Sequence, residues 1–381
     1  MKEILSFFLA FLTATSSPIA SMTLPVRVNP AIAHDKVRVL IVPGHEPVSG
    51  EGARFGSIEE RNLVVEIGQD LERFLNADPD YQAFITRDLD SWNPAFADYF
   101  KDNWGDISSW QKASKKSASE ALPIGSSSTV TVIHNPAPND VALRLYGITK
   151  WSNENDIDLM LHLHLNDYPG HGRKTPGKYS GFVMYSPALQ YGNSSSTDAV
   201  AHAIYERLAA YNPKSNLPVE SKGIIDDPEL IAVGAHNTSK AASLVIEYEY
   251  LYRPQLTSPD VRSLALKDFA YQTYLGLKDA FAEGASSTRL SYDPSILYDW
   301  STPVVGAASD SRDIYALQTA LIMAGEYPPK GRTGNDCPHS GSLGPCTSSA
   351  LAAFQKKQGI AGEGIGGAMT FEALKAVYDG K

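Results

Sequence analysis

Apolar and polar positions follow two periods along this chain, and the periods alternate. Residues 39–42, Val-Leu-Ile-Val, form an unbroken apolar run closed by Pro43-Gly44, the pattern of a short strand buried on both faces. Leu63, Ile67, Leu71 and Leu75 then recur every four residues and predict a helix over 60–75 with one apolar face. Residues 83–86 read as a second strand, closed by Arg87-Asp88, and 141–153 as a helix carrying Leu143, Leu145, Ile148 and Trp151. In the next strand, 156–166, Leu159, Leu161, Leu163 and Leu165 fall on one face; Met160, His162, His164 and Asn166 fall on the other. A strand at 181–185, a helix at 196–212, short apolar pieces at 223–225 and 230–233, and a strong β run at 244–251 follow. A long helix opens at Ser258-Pro259, with Pro at its first position. Strands alternating with helices predict an α/β domain over 37–284, with a mostly parallel or mixed sheet and helices on both faces.

Three stretches break these periods. Residues 21–36 form a Pro-bearing leader. Residues 91–139, with Pro94, Pro123, Pro136 and Pro138, read as an insertion over the sheet edge, either a lid or a surface decoration. Residues 285–310 are Ser- and Pro-bearing and read as a linker. Beyond them, 311–381 predicts a small all-α module of three helices, at 313–323, 348–358 and 370–378. A core that small gains from a covalent staple.

The 381 residues allow about two domains, and the net charge of -10 argues against a nucleic-acid partner. Residues 1–20 read as a signal peptide: Lys2, an apolar stretch at 4–12 too short to span a bilayer, then small residues up to a cleavage site near Ala20. The mature chain is therefore expected to be secreted, periplasmic or extracellular, with no membrane span. In an exported chain the two cysteines, Cys337 and Cys346, read as a disulfide across a small loop.

The candidate chemistry gathers at strand ends. His45 stands just past the first strand, Glu60 at a helix start, and His162 and His164 near the end of the 156–166 strand. Two imidazoles and a carboxylate suit one zinc ion and leave a position for water. Each residue also has a plainer reading. His45 fits a turn, Ser57–Glu60 fits a capping box, and period alone does not choose between His162 and His164. Glu247 interrupts an apolar run, where a carboxylate is costly unless used or paired. Burial there would suit it to general base and acid work, with Glu249 on the same face as the alternative.

These residues, taken in order, resemble the zinc-dependent N-acetylmuramoyl-L-alanine amidases of the amidase_3 family. The P-G-H motif matches Val42–His45, and the E-x-x-x-x-L helix start resembles 60–67. The D-L-x-x-S-x-H-A-N strand resembles 158–166, G-F-x-x-Y matches 181–185, and L-V-E resembles 245–247. The resemblance covers roughly 37–282. It implies one zinc per chain held by His45, Glu60 and His164, with Glu247 as the catalytic acid–base. Glu46 stands where the family has Gly, and Tyr248-Glu249-Tyr250 where it has an apolar-Gly-Phe run.

The C-terminal module resembles peptidoglycan-binding domains of the three-helix type. The matching segments are Leu317-Gln318-Thr319-Ala320-Leu321, Ala350 to Gly359, and Gly364 to Leu374. Together the two resemblances imply hydrolysis of the bond between N-acetylmuramic acid and L-alanine, with peptidoglycan as partner at the cell wall. A zinc peptidase acting within stem peptides and a non-catalytic wall-binding protein are the alternatives. An activating protein partner stays open.

Overall fold

The computed structural model describes residues 35–48, 52–121, 137–233, 239–281, 292–360 and 365–380. The expected signal peptide and most of the leader lie outside them.

The apolar run of β1 (Val37–Pro43) is buried on both faces because the strand lies inside the sheet. A short hairpin follows, β2 (Arg54–Phe55) with β3 (Ile58–Glu59). It leads directly into α1 (Glu60–Ala77), then β4 (Tyr81–Ile85), α2 (Pro94–Ala121), α3 (Asn139–Glu154) and β5 (Leu159–Asn166). β6 (Val183–Pro187), α4 (Ser194–Tyr211), β7 (Ile224–Asp227), β8 (Ala242–Tyr250), α5 (Pro254–Thr257) and α6 (Pro259–Phe281) complete the domain. The sheet runs β4-β1-β5-β8-β6-β7. β4, β1, β5 and β8 are parallel, β6 is antiparallel to β8, and β7 is parallel to β6. The sheet is mixed, as expected.

The period of two in β5 decides what each face meets. Its leucines pack with Val39, Ile41 and the buried sides of α1, α4 and α6. On the opposite face, Leu40, Val42 and Met160 pack with Phe96, Phe100 and Ile107 of α2 and Leu143, Tyr146 and Ile148 of α3. This corrects the reading of 91–139. Its described part, up to residue 121, is neither lid nor decoration but half of the second helical layer. A few side chains, Phe96, Phe100 and Ile107, supply its buried face at i, i+4 and i+11, and the many polar residues between them obscure that period.

The C-terminal module consists of α7 (Ser311–Met323), α8 (Pro345–Gln358) and α9 (Ala368–Tyr378), stapled by a Cys337–Cys346 disulfide. Trp300 and Val304, in the expected linker, are buried in its core, and the Tyr378 hydroxyl donates to the Pro294 and Tyr298 carbonyls. The described part of 285–310 therefore belongs to the module; indole burial explains why a stretch without a period is ordered.

The module docks on α6 around a buried acid. Asp268 accepts from Gln272 (3.0 Å) and Tyr292 (2.9 Å), with the Tyr315 hydroxyl of α7 at 3.4 Å. Burial pushes its carboxyl up to about 6, against the lowering effect of those bonds. An unfolded aspartate titrates near pH 4, so the ionised form penalises the fold fully above about pH 6 and not at all below about pH 4. Asp268→Asn should therefore stabilise the protein by about 2 kcal/mol at pH 7.5 and leave stability unchanged at pH 4. Denaturant unfolding at the two pH values checks this.

Candidate metal centre

Four parallel strands end at one edge of the sheet, and the candidate residues collect there. His45 follows β1 in a left-handed backbone conformation, φ 68°. Such a turn is strained for a non-glycine residue, and Arg87 secures it. The buried Arg87 guanidinium donates to the Pro43 carbonyl (3.2 Å), the Gly44 carbonyl and the Arg61 carbonyl (3.1 Å). Burial, then neighbouring Arg61, pulls the Arg87 guanidinium down to about 10. Gly44 is required by proximity: a Cβ there would fall 2.3 Å from the His164 ring.

Glu60, the first residue of α1, lies between the two imidazoles. Its Oε2 is 2.7 Å from His45 Nε2 and its Oε1 is 3.0 Å from His164 Nδ1. Backbone N–H groups of Ala53 (3.0 Å) and Leu165 (3.1 Å) also donate to it. The capping-box reading is thereby corrected: the helix N-cap is Glu59, with no side-chain cap bond, and both Glu60 oxygens face the histidines. Burial alone would raise the Glu60 carboxyl. The charge of His45 and the bonds to both imidazoles outweigh it and hold Glu60 well below the usual carboxylate range.

Donor atoms of His45, Glu60 and His164 lie within 4.8 Å of one another. Among the described residues these three form a group that could hold a metal ion. His164 is lowered by burial, against the pull of Glu60, which favours the neutral imidazole that ligates metals. His162 lies on the same face two residues deeper and outside the group. Burial, then neighbouring His164, lowers it to about 3, and its Nε2 has no hydrogen-bond partner among the described residues.

Glu247 pairs in register with His164 across the β5–β8 ladder. Its Oε2 is buried without a hydrogen-bond partner among the described residues. Burial, then the charges of Glu60 and Glu220, raises its carboxyl well above the usual range. Glu249 is different. It accepts from Gly181 N–H (2.6 Å), Tyr250 N–H (2.9 Å) and Gln255 (2.9 Å), so its oxygens are spent on structure.

Two participants gave no sequence signal. Arg87 read only as a strand end. Glu220, at the end of a short 3-10 turn (Pro218–Glu220), accepts from Asn166 (3.1 Å), Tyr185 (3.0 Å), Ser215 (2.6 Å) and Tyr250 (3.0 Å) and forms a buried polar support beside β6 and β8. Its partners come from four separate segments, so no local pattern records it.

A mixed α/β sheet with a His–Glu–His group at its carboxyl edge, joined to a disulfide-stapled helical module, defines the class of this protein. Residues 310–374 match the family described as a putative peptidoglycan binding domain. No curated protein matches the chain. Solved structures similar to it include the N-acetylmuramoyl-L-alanine amidase from Clostridium difficile 630, at 13% identity and TM-score 0.41, covering 66% of this chain and 100% of that one. The N-acetylmuramyl-L-alanine amidase Ami1 from Mycobacterium smegmatis is similar at 12% identity and TM-score 0.42, over 65% and 98%. The CwlD amidase from Clostridioides difficile, in complex with the GerS lipoprotein, is similar at 13% and 0.43, over 65% and 99%.

Proposed function

We propose that this chain is a zinc-dependent amidase that hydrolyses the bond between N-acetylmuramic acid and L-alanine in peptidoglycan, acting at the cell wall. One observation carries the reading: the donor atoms of His45, Glu60 and His164 converge within 4.8 Å, with the half-buried acid Glu247 on the adjoining strand. The C-terminal match to a peptidoglycan-binding family supports the polymer as partner. Such a module would raise the local concentration of substrate at the site.

The donor set fits zinc. Two neutral imidazoles and one carboxylate are a typical set for a catalytic site. Glu60 stays ionised, so all three ligands are in their binding form near neutral pH. Zinc bound there supplies Lewis-acid polarisation of the amide carbonyl and a water acidic enough to attack near pH 7. Glu247 supplies the proton path. It accepts the water's proton at Oε2, which has no hydrogen-bond partner among the described residues, and returns it to the leaving amine nitrogen. Arg87 keeps the His45 turn in place, and the Glu59–Arg61 pair (3.0 Å) steadies the start of α1.

The test is the chemistry released from purified sacculi. The expected products are new L-alanine amino termini, with no new reducing sugar ends. New reducing ends would assign a glycosidase, and cleavage inside the stem peptide, read by fragment masses, would assign a peptidase. Among the described residues no helix is long and apolar enough to cross a membrane.

A further inference from the structure

β5 carries His164 at the rim of the metal centre, and the segment that follows the strand leaves from that rim. Residues 167–179 are tied to both neighbouring walls of that rim. The Gly56 N–H donates to the Arg173 carbonyl at 2.7 Å and fastens the segment to the β2–β3 hairpin. The start of that hairpin carries the Ala53 N–H that reaches Glu60. On the other side, the Tyr179 N–H donates to the Tyr252 hydroxyl at 3.3 Å. Gly177 approaches Tyr252 so closely that a Cβ would fall 2.6 Å from its ring. The His171 ring lies 4.8 Å from that of Tyr252, and Tyr168 packs edge-on against Tyr179 at 4.9 Å.

Charge on this segment is one-sided. Its one acid, Asp167, pairs with His171 at 2.6 Å. Arg173, Lys174 and Lys178 are exposed and form no ion pair with a carboxylate among the described residues. Lys178 lies over the Tyr179 ring, 4.8 Å from its centre. The chain holds 43 acidic and 33 basic residues, so three unpaired cations within six residues run against its overall balance. Exposed Arg54, Arg73 and Arg312 meet Glu59, Asp70 and Asp310, whereas exposed Arg332 forms no ion pair among the described residues.

We propose that Arg173, Lys174 and Lys178 form an anion subsite that receives the carboxylates of a short acidic peptide attached to the scissile amide, with Tyr168 and Tyr179 as its wall. The proposal rests on the amidase reading above and names what selects the peptide side of the substrate. The segment is anchored to the hairpin and to Tyr252 through its backbone and rings, which leaves the three cationic heads for a ligand. Opposite charges at a solvated rim add modest, salt-sensitive affinity.

The experiment uses the zinc-loaded full chain carrying Glu247→Gln, so that nothing is turned over. Calorimetry measures binding of N-acetylmuramoyl-L-alanyl-D-glutamate, with two carboxylates, and of its bis-amide. Adding Arg173→Ala, Lys174→Ala and Lys178→Ala together should weaken the dicarboxylate about tenfold and flatten its salt dependence. Binding of the bis-amide should be weaker in the parent and unchanged by the triple substitution. Lys174→Arg with Lys178→Arg should bind both probes as the parent does. Equal loss on both probes, unchanged dicarboxylate binding in the triple variant, or no dicarboxylate binding by the parent would each overturn the subsite. Charge-selective binding by a wild-type enzyme that releases no L-alanine termini from sacculi would instead overturn the amidase reading and leave the subsite standing.

Discussion

Glu247→Gln should keep about one zinc per chain and lose hydrolysis of sacculi by roughly 10²- to 10⁴-fold, the range that a positioned general acid–base supplies. The side chain keeps its volume, so the sheet around it is not disturbed. What changes is the carboxylate oxygen that has no partner among the described residues, since an amide cannot accept the water's proton there. The loss should fall on kcat and on kcat/KM alike. Glu249→Gln is the matched control. Glu249 accepts three hydrogen bonds, from the Gly181 N–H, the Tyr250 N–H and the Gln255 side chain, so its change should lower the melting temperature and spare the catalytic step. Metal analysis, product quantification and thermal unfolding separate the two variants. An active Glu247→Gln enzyme would remove the base assignment.

His164→Ala should weaken zinc binding by roughly 10³-fold, because it removes one of three ligands from a site whose total affinity is on the order of 10 kcal/mol or more. Hydrolysis should disappear with the metal. His162→Ala should retain the metal, since its ring lies two residues deeper on the same face and outside the His–Glu–His group. Its cost should instead be the cavity left beside Val42 and Val245, seen as reduced stability. Equilibrium dialysis against zinc, with unfolding in parallel, reads both outcomes. Zinc retained by His164→Ala and lost by His162→Ala would reverse the ligand choice.

The fold was legible wherever a period ran long enough to be read. The leucines of β5 and of α1 announced both their elements and their buried faces. The helical face of 91–139 is hard to read because its few apolar residues, Phe96, Phe100, Ile107 and Trp110, stand at helical spacing among many Ser, Lys and Asp, and bulky rings cover a sheet at lower sequence density than leucines do. The expected linker failed for a related reason. Trp300 and Val304 anchor it in the module core, and single large side chains leave no repeat to detect.

The candidate site was legible in part. His45, Glu60, His164 and Glu247 were all chosen from sequence, with the resemblance to known amidases separating His164 from His162 and Glu247 from Glu249. Arg87 and Glu220 were not, because each serves groups scattered along the chain.

Local pattern, then, determined the elements, their buried faces and the residue types fit for a metal and for proton transfer, since periodicity and side-chain chemistry act over a few residues. Only the tertiary structure decided that Glu60 turns between the two imidazoles rather than capping its own helix, and that Glu249 is consumed by two backbone amides and Gln255 while Glu247 Oε2 has no partner among the described residues. Those outcomes depend on parallel strands ending at a common edge and on partners from distant segments, and the energies that select them are exchanged across space.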